Sequence, residues 1–248
     1  MTILNDIVKN TKAKLVEKKA AVSLDEIKLQ LSRLDLPKGK FKASLAGKAE
    51  AVIAEIKKAS PSAGIISENF DPIQKAQEYE AFGAAALSIL TEEDFFLGSN
   101  QYLEDVKAIT SLPILRKDFM VDEYQIYEAK LIGADCILLI ASILSDIEIT
   151  DFVALAEVLE LDYLIEVHDA EELQRVEHFN NALIGVNNRN LKTFEVDINN
   201  SVNLKNSFSG DNIFIAESGI KNKDDLSYLK ERGISVFLIG ESLMRGSF

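Results

Sequence analysis

The sequence predicts an α/β protein, a (β/α)8 TIM barrel with an N-terminal helical extension. Three observations lead there. Eight short apolar runs rich in β-branched residues recur along the chain, at 51–57, 85–90, 113–117, 136–140, 162–167, 183–187, 212–217 and 235–240. Helical patterns lie between them, and alternation of strands with helices marks a parallel sheet. The runs are nearly continuous in apolar residues, as strands covered on both faces must be. Eight such units in 248 residues fit a closed barrel better than an open doubly wound sheet, and barrels of this kind commonly reach that length as one domain. No Gly-x-Gly-x-x-Gly follows the first run, which counts against a dinucleotide-binding fold.

Residues 1–45 form the extension and 46–248 the barrel, in a single domain. In the extension, Ile3, Leu4, Ile7, Val8, Leu15 and Val16 give an approximate helical stripe, and Ser23-Leu-Asp-Glu26 reads as a capping box before a second helix. This segment is expected either to close the bottom of the barrel or to reach over its top. The first strand ends in Glu55-Ile-Lys57, whose two charges share one face because residues i and i+2 of a strand do. A charged pair on an interior face is costly unless it has work to do. The following loop, Lys58 to Phe70, is long for a simple turn and contains Gly64, so it is expected to move over a ligand as lids do. Asp71-Pro72 is an N-cap with Pro at the first helical position, and Gly83 stops that helix. Asp122 and Gly133 bracket a second helix in the same way, and Asn222 and Gly233 a third. After the last strand only a few residues remain, up to Phe248. A barrel needs a helix there, so either something else covers this strand or the helix lies outside the sequence given.

Composition narrows the function. A net charge of −13 argues against nucleic acid or an anionic membrane as partner, because both need a basic face. The lone Cys136 sits in an apolar run and is expected to be a buried structural thiol. The two histidines, His168 and His178, form no zinc-spaced cluster. The first residues carry no apolar core of a signal peptide, and no apolar run approaches the ~18 residues of a membrane span. A cytoplasmic monomer is expected.

The strand ends carry the chemistry. Glu55 and Lys57 close the first strand, Lys117 the third, Glu166 the fifth, Asn187 the sixth and Glu217 the seventh. In a barrel these ends meet at the C-terminal face, where active sites sit. A single polar strand end can simply turn to solvent, but two Lys and three Glu around one cleft argue for function. The loops Glu217-Ser218-Gly219-Ile220 and Ile239-Gly240-Glu241-Ser242 follow strands seven and eight, the usual phosphate site of this fold. Glu241 would repel a phosphate, so its side chain should point away.

Ile53-Ala-Glu-Ile-Lys-Lys-Ala-Ser-Pro-Ser62 closely resembles a signature of the indole-3-glycerol phosphate synthases. The likeness continues through Leu90-Thr-Glu-Glu-Asp-Phe-Phe-Leu-Gly-Ser99, Pro113-Ile-Leu-Arg-Lys-Asp-Phe119, Leu164-Ile-Glu-Val-His168, Ile184-Gly-Val-Asn-Asn-Arg-Asn190, Ala216-Glu-Ser-Gly219 and Leu238-Ile-Gly-Glu-Ser-Leu-Met244. The resemblance implies ring closure, decarboxylation and dehydration of 1-(o-carboxyphenylamino)-1-deoxyribulose 5-phosphate, with no metal or organic cofactor. It implies Lys117 as general acid at the sugar carbonyl oxygen and Glu166 as acid–base partner for dehydration. Lys57 would bind the anthranilate carboxylate and assist proton transfer. Glu55, Asn187 and Glu217 would hold the sugar hydroxyls or orient the Lys and Glu. Ser60, Ser218, Gly219 and Gly240 would bind the phosphate, with Arg189 supporting Asn187. Leu90, Phe96, Phe119 and Leu138 would surround the aromatic ring. A related barrel, such as phosphoribosylanthranilate isomerase, uses a Cys/Asp pair, and the one Cys here lies inside the fourth strand. A silent metabolite-binding barrel would be expected to lack at least one of these ionisable residues.

Overall fold

The strands are buried at nearly every position, since helices cover one face and the barrel interior takes the other. The computed structural model describes residues 3–191 and 193–248. Eight parallel strands form a closed barrel: β1 (Ala51–Ile56), β2 (Ala86–Leu90), β3 (Ile114–Lys117), β4 (Cys136–Ile140), β5 (Asp162–Val167), β6 (Leu183–Asn187), β7 (Phe214–Glu217) and β8 (Val236–Ile239). Each strand pairs with its sequence neighbours, and β8 closes on β1 through Ala51 opposite Val236. Followed once around the ring, the registers return to β1 displaced by eight residues, the shear of this fold. Several strands are a residue or two shorter than the apolar runs, and Lys57 stands just beyond β1.

The extension does both things that its sequence left open. Its first helix, α1 (Ile3–Ala21), reaches over the top of the barrel, where Ile3, Leu4 and Ile7 line the central cavity. The Lys14 ammonium ties it to the loop after β2, at 2.8 Å from Glu93 and 2.7 Å from Asp94. The helix α2 (Leu24–Leu31) has the capping box between Ser23 and Glu26, and Ile27 packs with Leu15 and Tyr124. The short α3 (Phe41–Leu45) closes the bottom. Phe41 and Leu45 are fully buried among Ile53, Leu115, Cys136, Leu164, Leu183 and Ile215. Asp162 at the start of β5 accepts the Lys42 backbone N–H at 2.8 Å and fixes this plug.

The outer ring is α4 (Pro72–Phe82), α5 (Asn100–Lys107), α6 (Glu123–Leu131), α7 (Asp146–Val158), α8 (Ala170–Val176), α9 (Asn199–Ser207), α10 (Lys223–Lys230) and α11 (Glu241–Met244). Asp71, Asp122 and Asn222 cap three of these helices through their side chains. Gly83, Gly133 and Gly233 follow the same three helices with φ between 81° and 91°, a backbone region that strains residues with a Cβ. After β8, the brief α11 buries Leu243 and Met244, and Phe248 meets the Phe82 ring edge-on at 6.1 Å. No helix among the described residues is long and apolar enough to cross a membrane.

Candidate active site

Inward-pointing residues of alternate strands stack in layers inside such a barrel. In the uppermost layer of the odd strands these are Glu55, Lys117, Glu166 and Glu217, where branched apolar side chains would be ordinary. All three carboxylates are buried. The Lys117 Nζ lies 2.7 Å from Glu217 Oε2 and 3.3 Å from Glu166 Oε2. Lys57, just beyond the end of β1, is hydrogen-bonded to Glu55 Oε1, as the two-residue spacing anticipated. Asn187 donates to Glu166 Oε1 at 3.1 Å and accepts the Arg189 backbone N–H at 3.0 Å.

These charges set one another's protonation. Burial opposes a charge on Lys117, but Glu217, Glu166 and Glu55 outweigh it and hold the ammonium well above its usual range. Burial likewise opposes ionisation of Glu55 and Glu166. Lys57 and Lys117 overcome it at Glu55; Lys117, His168 and the Asn187 amide overcome it at Glu166, so both carboxyls fall below their ordinary value. Glu217 goes the other way: burial dominates, Glu166 and Glu55 repel a further negative charge, and its carboxyl is pushed up to about 7 despite Lys117. Carboxylates driven apart in this manner are the raw material for separate acid and base roles. Cys136 lies deep in the barrel, where burial raises its thiol well above the ordinary value.

Glu55, Lys57, Lys117, Glu166, Asn187 and Glu217 open into one cavity of about 610 Å³, which is also lined by Ser60, Leu90, Phe96, Phe119, Leu138, Arg189, Ser218, Gly219 and Gly240. Every candidate residue read from the sequence therefore shares one space. One end is apolar, with the Phe96 and Phe119 rings 5.9 Å apart. Two buried polar networks hold these rings. Glu92 accepts the backbone N–H groups of Asp94, Phe95 and Phe96 at 3.2, 2.7 and 3.0 Å. Arg116, on the outer face of β3, binds Glu128 at 2.6 Å and Asp118 at 3.2 Å, and Asp118 in turn accepts the Phe119 N–H at 2.8 Å.

The opposite end is built of small residues. Ser218 and Gly219 both have positive φ, 65° and 81°, a strained setting for Ser that the surroundings must enforce. Asn188 does so: its Nδ2 donates to the Ser218 carbonyl at 3.1 Å, while its Oδ1 accepts from the Ser201 N–H and hydroxyl at 2.9 and 2.8 Å. Ser242 Oγ donates to the Ile220 carbonyl at 2.9 Å and joins the loops after β7 and β8. Glu241 turns to Arg245, whose Nε donates to it at 3.0 Å. Gly240 has a use that its sequence context did not suggest. A Cβ there would lie 2.4 Å from Glu55 Oε1 and 3.1 Å from Lys57 Nζ, so the bare backbone makes room for the charged pair.

Several contributors escaped the sequence reading. Gly185 leaves room for Glu217, since a Cβ there would come 2.1 Å from Oε1; its signal was a Gly inside an apolar strand, a mark of close approach. The networks of Asn188, Glu92 and Arg116 depend on tertiary partners and left no local trace.

A family model described as Indole-3-glycerol phosphate synthase matches residues 4–247. A relative called indole-3-glycerol phosphate synthase from Ruminiclostridium cellulolyticum is 49% identical over 98% of this chain and 94% of its own length. Another of that name, from Clostridium acetobutylicum, is 48% identical over 98% and 92%. Among solved structures, a tryptophan synthase α-subunit from Pyrococcus furiosus matches with a TM-score of 0.60 at 12% identity, over 79% of this chain and 89% of that one. An N-acetylmannosamine-6-phosphate 2-epimerase from Clostridium perfringens matches with a TM-score of 0.58 at 15% identity, over 79% and 88%. At those identities the two structures speak for the barrel alone.

Proposed function

On the premise that this chain belongs to the indole-3-glycerol phosphate synthase family, we propose how its residues divide the reaction. The chain is an enzyme of tryptophan biosynthesis that closes the indole ring with loss of CO₂ and water. Its substrate joins a carboxylated aromatic ring to an open-chain sugar phosphate. The aromatic ring sits in the apolar pocket walled by Phe96, Phe119, Leu90 and Leu138, and the phosphate lies at the Ser218–Gly219 turn with Ser60 and Gly240.

Lys117 is the general acid. As the aromatic carbon attacks the sugar carbonyl, the oxygen gains negative charge, and the Lys117 Nζ–H delivers the proton that makes it a hydroxyl. The reading draws support from its position 2.7 and 3.3 Å from two carboxylates, which keep the proton available. Lys57 grips the carboxylate that leaves as CO₂. Glu166, depressed in pKa and bonded by Asn187, is the base that takes the proton lost in dehydration. Glu55 holds Lys57, and Glu217 orients Lys117. Arg189 supports Asn187. Positioned proton transfer of this kind contributes about 10²–10⁴-fold, and the burial of these charges strengthens each interaction. The enzyme is read as a cytoplasmic monomer, in keeping with a site assembled from one chain; light scattering tests the oligomeric part.

The single observation that carries this assignment is the Lys117 ammonium seated between Glu166 and Glu217 in a cavity with an aromatic end and a small-residue end. The test is direct. Purified protein is mixed with the carboxyphenylamino-deoxyribulose phosphate and indole fluorescence is followed. The chain has no Trp, so background is low. A rising signal is expected, and a flat trace at high enzyme concentration would overturn the reading.

A further inference from the structure

Behind Glu166 stands a half-buried titratable group that the reaction scheme leaves unused. His168 follows β5 by one residue and lines a second cavity, of about 820 Å³, and not the first. Its Nδ1 lies 3.1 Å from Glu172 Oε2 on α8, and the same carboxylate oxygen accepts the His168 backbone N–H at 2.8 Å. Its Nε2 is buried, makes no hydrogen bond, and lies 3.4 Å from Glu166 Oε1 as an ion-pair contact. Asn200 fixes the backbone here by donating to the His168 carbonyl at 3.0 Å. The ring thus bridges two carboxylates, one in each cavity.

We propose that His168 is a positioning residue: as an imidazolium held by Glu172, it aligns Glu166 Oε1 and keeps Glu166 in the carboxylate form needed to take the proton lost in dehydration. The proposal rests on the base role given to Glu166. Charge supports it. Glu55 and Glu166 are ionised and Glu217 carries part of a further negative charge beside Lys57 and Lys117, and His168 places a cation next to Glu166. Glu166 faces Lys117 of β3, Glu217 of β7 and Glu55 of β1; His168 faces Glu166, Glu172 and Glu217, with Asp169, Arg189 and Asp197 around the second cavity. Burial alone would lower the His168 pKa, but Glu172 and Glu166 outweigh it and hold the ring above its ordinary range. The interaction is reciprocal, so removal of either partner must move the titration of the other.

Two measurements test this. The chain has only two histidines, His168 and the exposed His178, so the His168 ring can be followed by NMR through a pH titration. In Glu166→Gln, its midpoint is expected to fall relative to the parent; an unmoved midpoint would overturn the proposal. In His168→Gln and Glu172→Gln, the acid limb of kcat/KM is expected to move to higher pH. For His168→Gln that limb should move up by roughly one to two pH units, the weight of one charge-assisted hydrogen bond, with little loss near pH 8. A variant that melts like the parent yet keeps the parent's acid limb would also overturn it, since a purely structural role of His168 would lower stability without moving that limb. Full turnover in Glu166→Gln would instead overturn the base role of Glu166, and the ligand-free titration separates that failure from this one.

Discussion

Gly185 offers a sharp probe of the charged layer because it touches no substrate group directly. It lies on β6 outside the positive-φ region, so Gly185→Ala strains no backbone. The added Cβ would lie 2.1 Å from Glu217 Oε1 and 2.7 Å from Leu164 Cδ2. An ordinary carbon–oxygen contact is about 3.3 Å, so the carboxylate must retreat by about 1 Å. That displacement stretches the 2.7 Å contact between Glu217 and Lys117 beyond hydrogen-bond reach. Overpacking of this kind costs about 1–3 kcal/mol, or roughly 2–12 °C in Tm for a chain of this size. Misplacement of a catalytic group by ~1 Å costs on the order of 10²-fold. Steady-state indole fluorescence is therefore expected to show kcat falling about 100-fold while KM changes little. Combined with Glu217→Gln, the two losses should overlap rather than add, because both act on one carboxylate. A variant with lowered Tm but kcat within twofold of the parent, or full additivity with Glu217→Gln, would refute the reasoning.

Three further outcomes are expected. Glu55 is depressed in the folded state, so it contributes stability that is present above its ordinary 4.5 and is lost as pH falls through its lower folded value; Glu217 is raised, so the folded protein loses stability as pH climbs from 4.5 to about 7. Urea unfolding across pH should accordingly show the deficit of Glu55→Gln shrinking in acid, and Glu217→Gln improving relative to the parent between pH 4.5 and about 7; opposite slopes would contradict the electrostatic reading. Arg116→Met leaves the buried Asp118 and the half-buried Glu128 without their shared cation and is expected to cost about 3–5 kcal/mol in urea unfolding, with a loss below 1 kcal/mol counting against that network. The segment 58–70 holds a small hairpin, Ala59–Ser60 with Gly64–Ile65, and hydrogen exchange across it should slow when substrate or product binds; equal protection in both states would exclude lid closure.

What the sequence reveals and what it hides follow from the range of each interaction. Glu55 and Lys57 could be read because a strand places i and i+2 on one face, and Glu166 and Glu217 because each ends an apolar run. The same period-two rule separates Lys117, inside the barrel, from Arg116, whose guanidinium lies outside β3 among Thr91, Asp118 and Glu128. The helix stops at Gly83, Gly133 and Gly233 were legible because positive φ selects glycine locally. Ile3, Leu4 and Ile7 were visible as a stripe, but which end of the barrel they cover depends on contacts such as Lys14 with Glu93 and Asp94, eighty residues away in the chain. The roles of Gly185 and Gly240 are likewise defined by what they leave empty for Glu217 and Glu55, and an empty volume has no sequence signature beyond the glycine itself.

The central claim is that the ammonium of Lys117 supplies the proton at ring closure. The most direct test is the single-turnover rate of indole formation in Lys117→Ala, with thermal unfolding showing that the barrel is intact. A loss of at least 10²-fold, the lower bound for positioned proton transfer, is expected while the variant still binds substrate. An intact Lys117→Ala protein that forms indole-3-glycerol phosphate at a rate near the parent's would contradict the account.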